Sequence, residues 1–502
     1  AAADVYKRQN KYLGPESYAI IYKREGKDPD EQKIAAPKIT PIVTNRDSQS
    51  EFLSEIQTSQ VQPIEPVFVD YKKDMSQFEA QPGIDVLYKK NETNDIFTLI
   101  YVFNTGTEND PALNLAFNYL SYLGTDKMTA EEIASEMYDI ACSFYMNAGA
   151  NQSSIQITGL SENMGKAMEI VEGLIAGAKP DEAILENCKA DMLKSRADAK
   201  LNQSRCFGAL QRYLFYGGDF IRRTTLTDPA LQALTSEQLL AKIGGLMGKQ
   251  HEVLYYGPQK EAEVKSALAE HHKVAADLQP LEKKFSTLLP TDANKVVLAQ
   301  YDAKQLYYLQ FSNRGEKFDV AADPEITLYN EYFGGGMNTI VFQEMREARG
   351  LAYTAWATLA TPSNANGDYS YYAFIATQND KMQKAVEAFD DIINNMPESE
   401  KAFGIAKEAL VSRLRTERTV KDGVLWSYLR ARDLGLDAPR DKQIFEKVQS
   451  MTLDDVKAAQ QKWVKGRKYV YGILGDIQDL DLNYLKTLGP IQTVSQEEIF
   501  GY

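Results

Sequence analysis

Apolar residues recur along this chain in two rhythms, and the changes of rhythm divide it into elements. Short runs rich in β-branched and aromatic residues, over 67–69, 85–88 and 97–103, have the length and composition of strands. Windows at 111–123, 130–144 and 163–177 repeat at helical spacing, with a further strand at 153–159 between the last two. A second series begins with strands at 296–301 and 306–311. It continues with helices at 324–333 and 339–346, a strand at 369–376 and a helix at 380–395. Both series run strand, strand, helix, helix, strand, long helix, further helix, strand. This shared order predicts an α+β protein with two homologous domains, each a largely antiparallel sheet packed with helices.

The ends of the two series carry the same local signature. Thr235-Ser236-Glu237-Gln238 and Thr452-Leu453-Asp454-Asp455 each place a hydroxyl at a helix N-cap and an amide or carboxylate three residues on. That pairing satisfies free backbone N–H groups at a helix start. A β-rich run follows each: 251–257, containing Val253-Leu254-Tyr255-Tyr256, and 468–475, containing Tyr469-Val470-Tyr471. Residues 17–22 (Ser17-Tyr18-Ala19-Ile20-Ile21-Tyr22) have the same character without the preceding helix. The reading is therefore a tail of a preceding domain at 10–25, a linker at 26–66 punctuated by prolines, and domains at 67–275 and 285–502. Residues 1–9, with Asp4-Val5-Tyr6-Lys7-Arg8-Gln9, resemble a translated sequencing adapter and are read as a cloning or assembly scar.

Composition narrows the classes. With 502 residues, the chain exceeds one ordinary core, and 44% hydrophobic with 25% charged residues is a globular balance. No run approaches the roughly 18 apolar residues of a membrane span. A net charge of −14 argues against a nucleic-acid partner, whose phosphates demand a basic face. Cys142, Cys188 and Cys206 lack metal or redox spacing and read as buried free thiols.

The strongest local signal is Phe333-Gly334-Gly335-Gly336-Met337, followed by Phe342-Gln343-Glu344-Met345-Arg346-Glu347-Ala348-Arg349-Gly350-Leu351-Ala352-Tyr353. On its own a glycine run of this kind is a helix end and turn. It lacks the Lys-Ser/Thr of a phosphate loop, which excludes nucleotide binding. In this order the motifs resemble the C-terminal, non-zinc half of insulinase/pitrilysin-type zinc peptidases. Ile39-Thr40-Pro41 and Leu123-Gly124-Thr125-Asp126-Lys127 look similar to the same family, and the resemblance covers about residues 11–502.

The resemblance implies roles. An Arg and a Tyr seven residues apart, here Arg346 and Tyr353, would reach toward a zinc centre held by the N-terminal half and steady charge on a peptide carbonyl. The alternative for isolated residues is a helix-terminal Arg serving the dipole and a Tyr in a half-buried strand. Gly334, Gly335 and Gly336 would face bound substrate. The family's H-x-x-E-H zinc motif is absent. Aligned on Gly124-Thr125, Leu115, Asn118 and Tyr119 stand where its two His ligands and Glu would be, so no metal site is expected in this chain. His251, His271 and His272 read as surface or structural.

The functional expectation is the C-terminal half of a zinc-dependent metalloendopeptidase, inactive alone. Its partners would be a peptide substrate and an N-terminal zinc-bearing half or subunit; zinc would sit in that half and no cofactor in this one. The alternatives are a free-standing inactive subunit beside a separate zinc peptidase subunit, or a non-enzymatic peptide-binding scaffold. The compartment stays open, with a lean toward a bacterial periplasm or cell envelope.

Overall fold

The computed structural model describes residues 2–14, 16–22, 50–60 and 62–502. The chain divides into two compact units, Ala1–Pro63 and Ile64–Tyr502. The first contains helices Ala2–Tyr12 and Glu51–Thr58, the second of them inside the stretch expected to be a linker. Residues 18–22 form no strand, and Tyr18, Ile20, Ile21 and Tyr22 are exposed. A strand exists only where its backbone groups find a partner, and none pairs with this run among the described residues. Residues 26–49 of the expected linker, with Ile39-Thr40-Pro41, lie outside the described residues.

The second unit contains two six-stranded sheets. The first is built from β1 (Ser76–Gln81), β2 (Ile84–Lys90), β3 (Ile96–Phe103), β4 (Cys142–Ala148), β5 (Ser153–Leu160) and β6 (His251–Gly257), in the order β1-β2-β6-β3-β5-β4. The second comprises β7 (Lys295–Gln300), β8 (Gln305–Ser312), β9 (Thr354–Ala360), β10 (Ser370–Gln378), β11 (Val470–Gly475) and β12 (Ile491–Val494), ordered β12-β7-β11-β8-β10-β9. Five strands correspond one to one. In each sheet the late strand, β6 or β11, returns between the first two and runs parallel to β2 or β7. The other pairs within this common five-strand set are antiparallel. The sheets differ at one edge, where β1 is antiparallel to β2 and β12 is parallel to β7. This is the α+β architecture expected from the sequence.

Three local expectations need correction. Residues 67–69 form no strand; the first strand is β1, whose half-buried Phe78 and Ala80 alternate with exposed residues. The helix expected over 130–144 stops at Asp139, and Cys142–Ala148 is the edge strand β4. Between them Ala141 adopts φ +50°, a reversal normally announced by Gly and here made by a residue that gives no such signal. The common five-strand set consequently has one more strand, β4 or β9, than the shared order allowed, and each sheet adds a further edge strand, β1 or β12. The helix expected over 339–346 is a short α-turn, Ile340–Phe342, widening into a π-helical turn, Gln343–Ala348.

The capping signatures do form. Gln238 N–H donates to Thr235 Oγ1 (3.3 Å) while the Thr235 N–H donates to the Gln238 side chain (3.1 Å), and Thr452 N–H donates to Asp455 (2.7 Å). The helices they start lead directly into the central strands β6 and β11.

Each sheet buries one face against its own helices and the other against a helix from the opposite half. Helix Gln203–Thr224 lays Cys206, Phe207, Leu210 and Leu214 on Val297, Leu309, Phe311 and Leu474 of the second sheet. In return, helix Gly423–Asp433 lays Val424, Leu425 and Leu429 on Leu87, Ile100, Val102 and Leu254 of the first. This exchange explains why β6 and β11 are buried at every position rather than alternately. Each large apolar side chain so covered contributes about 1.5–3 kcal/mol. Arg432 of the exchanged helix closes the contact with a two-pronged hydrogen bond to Glu252 of β6, one prong 2.8 Å. Lys283 meets Asp433 at 2.6 Å beside it.

Candidate functional site

Helix Asp323–Phe333 ends against the edge of the second sheet. The N–H groups of Gly334 and Gly335 both donate to Asn330 O, at 3.1 and 3.0 Å. The Asn330 side chain donates to Leu359 O (2.9 Å) and accepts from Leu359 N–H (2.8 Å), while Ala357 N–H donates to Gly334 O (3.2 Å). The outer edge of β9 is thereby tied to the helix end. Gly334 is required there by space, because a Cβ would lie 2.0 Å from Ala357 O. Gly336 faces open space. Gly335, Gly336 and Met337 line an open cavity of about 380 Å³ with Asn330, Thr361 and Arg413.

The chain then re-enters helix at Thr339, whose N–H and hydroxyl both bond Gly336 O. Met345 is fully buried and anchors the π-helical turn in the core. Arg349 N–H reaches Glu344 O, Leu351 N–H reaches Met345 O, and Gly350 turns the backbone at φ +56°, where a side chain is strained. The Arg349 guanidinium fixes that bend between Glu344 (3.4 Å) and Asp391 (3.1 Å). Hydrogen bonds from Asn395 and then Arg349 hold the Asp391 carboxyl below its ordinary range. Wide turns of this kind recur at functional sites.

The bend brings Arg346 and Tyr353 together. The Arg346 guanidinium carbon lies 5.0 Å from the Tyr353 ring centroid and 4.9 Å from that of Phe342, one turn earlier. Such contacts hold a cation by the ring quadrupole and leave its N–H donors free. Its nearest acid is Glu347, at 3.6 Å. Tyr353 is 72% exposed, and its hydroxyl makes no hydrogen bond among the described residues. Tyr353 N–H donates to Ala376 O at 3.3 Å, placing the ring at the entry to β9. Sequence reasoning missed Phe342 and Asn330. Phe342, four residues before Arg346, was legible as a same-face neighbour; the clasp of Asn330 on Leu359 carries no local signal.

The frame of the absent zinc motif falls on helix Leu113–Leu120. Leu115 and Tyr119 are fully buried and Asn118 is exposed. The Tyr119 hydroxyl accepts from Asp181 N–H (2.7 Å) and lies 2.8 Å from Ser236 Oγ and 3.1 Å from Asp181 O, so it joins two helix starts. Leu has no donor atom, and this phenol is engaged by protein; neither suits zinc, which takes imidazole, thiolate or carboxylate. Among the described residues no group of three or more His, Cys, Asp or Glu is arranged to hold a metal. The three cysteines are buried and free.

His251 and His272 are structural in an unexpected way. Their Nε2 atoms lie 2.9 Å apart, His272 Nδ1 is 2.6 Å from Glu172, and Tyr101 donates to the same carboxylate at 2.8 Å, all within the core. Burial, then the neighbouring His272, lowers the His251 pKa to about 4. His271 is set apart from this chain, 3.3 Å from Glu169.

Residues 250–410 match the family model described as the Peptidase M16 inactive domain. A protein of Rickettsia bellii described as an "uncharacterized zinc protease" is 23% identical over 312 residues, 60% of this chain and 70% of its own length. Among solved structures, an M16 inactive domain from Pseudomonas fluorescens shares the fold with a TM-score of 0.63 at 18% identity, over 80% of this chain and 98% of its own. The periplasmic protease PqqL of Escherichia coli does so at 0.61 and 12% identity. There the match takes in 95% of this chain and 51% of PqqL, so the chain corresponds to about half of that protein. No helix among the described residues is long and apolar enough to cross a membrane. Residues 250–410 thus match an M16 inactive domain, and the wider chain is similar to a protein described as a zinc protease and shares the fold of an M16 inactive domain, in line with the insulinase/pitrilysin resemblance of its glycine and Arg-Tyr motifs.

Proposed function

We propose that this chain is the non-zinc half of an M16 metalloendopeptidase, which encloses a peptide and steadies the carbonyl under attack. The observation that carries this reading is the pairing of Tyr353, whose exposed hydroxyl is unbonded among the described residues, with a half-buried Arg346 whose only ion pair among them is to Glu347 at 3.6 Å. A tyrosine kept only for packing would bury its ring, and an arginine kept only for a helix end would turn to its carbonyls.

Attack on a peptide bond moves negative charge onto the carbonyl oxygen. The Tyr353 hydroxyl can donate one hydrogen bond to that oxygen, and the Arg346 guanidinium can hold it or a neighbouring carbonyl. Phe342 keeps the guanidinium from folding back, and the Arg349 anchor sets the bend on which both side chains depend. Gly335 and Gly336 present backbone without side chains at the cavity they line with Asn330 and Arg413, which suits passage of a peptide main chain. Zinc and its activated water come from the other half, fused or separately encoded, since Leu115, Asn118 and Tyr119 offer no ligands. The likeness to PqqL supports a bacterial periplasm or envelope as the compartment.

The test is peptide cleavage by the chain alone and after joining to its zinc-bearing half. Activity should appear only in the joined protein, be chelator-sensitive, and fall when Tyr353 is replaced by Phe. Chelator-sensitive cleavage by the chain alone, with one tightly held zinc, would overturn the reading.

A further inference from the structure

A second cavity opens at the seam between the two halves, sharing Thr361 with the cavity at the glycine turn. Helix Gln203–Thr224 breaks at Gly217, where φ is +83° and ψ 167°. The carbonyl of Phe215, released by the break, accepts from Leu289 N–H of the connecting segment at 2.8 Å. The break turns Phe215 and Tyr216 toward Phe285 of that segment and Tyr372 of β10, around a space of about 460 Å³. That is the size of a pocket for a small molecule or a large side chain.

Its chemistry is selective. Four aromatic residues, Phe215, Tyr216, Phe285 and Tyr372, share the walls with Ser, Thr and Asn side chains, and the Phe215 and Tyr372 centroids are 5.4 Å apart. Asp368, a carboxylate in the lining, is already spent on Lys317 (2.6 Å) and Asn313 (3.2 Å). Ser286 is spent on Glu108, so neither offers a free charge or donor. The hydroxyls of Tyr216 and Tyr372 have no hydrogen-bond partner among the described residues, and neither do those of Thr287, Thr361, Ser363 and Ser370 in the same lining. Aromatic faces set among free hydroxyls suit an aromatic side chain whose adjoining peptide amides take the hydroxyls.

The cavity is also continuous with the strand that begins at Tyr353. Tyr372 packs edge-on against Trp356 (5.6 Å), which stacks on Phe374 across β9 and β10. Ala360, the last residue of β9, is part of the lining. From Tyr353 to Ala360 the chain is extended, and at about 3.3 Å per residue the two points stand roughly 23 Å apart.

We propose that this seam pocket is an anchoring subsite for an aromatic side chain of an extended peptide, about seven residues from the carbonyl addressed by Tyr353. The proposal rests on the peptidase reading for its ligand class, but its test needs no catalysis. Fluorescein-labelled Gly/Ser peptides carrying a single Phe or a single Ala are titrated into the full chain and followed by anisotropy. The Phe peptide should bind about tenfold more tightly, as expected for burial of one aromatic ring. Ser363→Trp, at an exposed rim position, fills the mouth without touching the core and should abolish that preference at unchanged melting temperature. Tyr216→Ala should reduce it, whereas Arg346→Ala should leave the Phe-to-Ala ratio as it was. Equal affinity for both peptides, or a preference that survives Ser363→Trp, overturns the subsite. Loss of turnover in Tyr353→Phe bears only on the catalytic reading, so the two can fail separately.

Discussion

The guanidinium carbon of Arg346 sits 5.0 Å from the ring centroid of Tyr353, across a bend that only Gly350, at φ +56°, makes easy. Neither side chain contributes a strong hydrogen bond to the fold. Tyr353→Phe should therefore leave the unfolding free energy within about 0.5 kcal/mol, the usual range for exposed sites. In the joined enzyme it should lower kcat by roughly 10²–10³, the effect of losing one oxyanion donor. Arg346→Ala should raise KM as well, since a guanidinium can hold carbonyls in ground and transition states. Paired melting and turnover measurements decide the matter, and an unchanged kcat for Tyr353→Phe rejects the role.

Gly334 and Gly336 should respond to alanine very differently. At Gly334 a methyl would collide with Ala357 O and break the tie between helix end and β9, costing about 2–4 kcal/mol. At Gly336 nothing lies within 4 Å, and the change should cost under about 1 kcal/mol. Urea unfolding of the two variants makes the comparison, and equal losses would mean that the close approach is not what selects glycine.

His251 should make the protein acid-sensitive. Its folded pKa is about 4 against an ordinary 6.5, so the unfolded chain binds the proton more readily. The resulting stability is present above pH 6.5 and lost as pH falls toward 4, by up to about 3 kcal/mol. Protonation would set two N–H groups against each other at the 2.9 Å contact with His272. Asp390 carries the opposite sign: burial raises its pKa to about 6, so its cost grows as pH rises from 3.8 through 6. His251→Asn should flatten the acid limb of a pH-stability curve, and Asp390→Asn should stabilise at pH 8 by about 1–2 kcal/mol. Parallel curves for wild type and His251→Asn would exclude the histidine as the source.

Tyr119→Phe should destabilise by about 1–3 kcal/mol, because it strands the Asp181 N–H and the Ser236 hydroxyl at two helix starts. Conversion of Leu115, Asn118 and Tyr119 to His, Glu and His should cost more than it returns in zinc affinity, since Leu115 and Tyr119 are core residues. Chemical unfolding and metal titration check both outcomes.

What could be read from the sequence was carried by interactions spanning a few residues. The capping pairs at Thr235 and Thr452, the β-rich runs of β3, β8 and β11, and the glycine turn after Phe333 all act within one helical turn or one strand, so their residues stand together in the sequence as in space. The same reasoning failed at residues 67–69 and over 140–148. A run of apolar residues near Val69 met no strand partner, and a reversal at Ala141 left no glycine to mark it.

Tertiary structure decided what depends on distant partners. The sequence shows that helices Gln203–Thr224 and Gly423–Asp433 exist, but not that each crosses to cover the other half's sheet, because apolar periodicity identifies a buried face without naming its cover. It places Arg346 and Tyr353 seven residues apart, whereas the bend and the anchor of Arg349 on Asp391, 42 residues away, make them neighbours. The pairing of His251 with His272, and the aromatic pocket assembled from 215–216, 285 and 372, belong to the same class. Burial is a property of the assembled surfaces: it turned two ordinary-looking histidines into a core pair and left Tyr353 in the open.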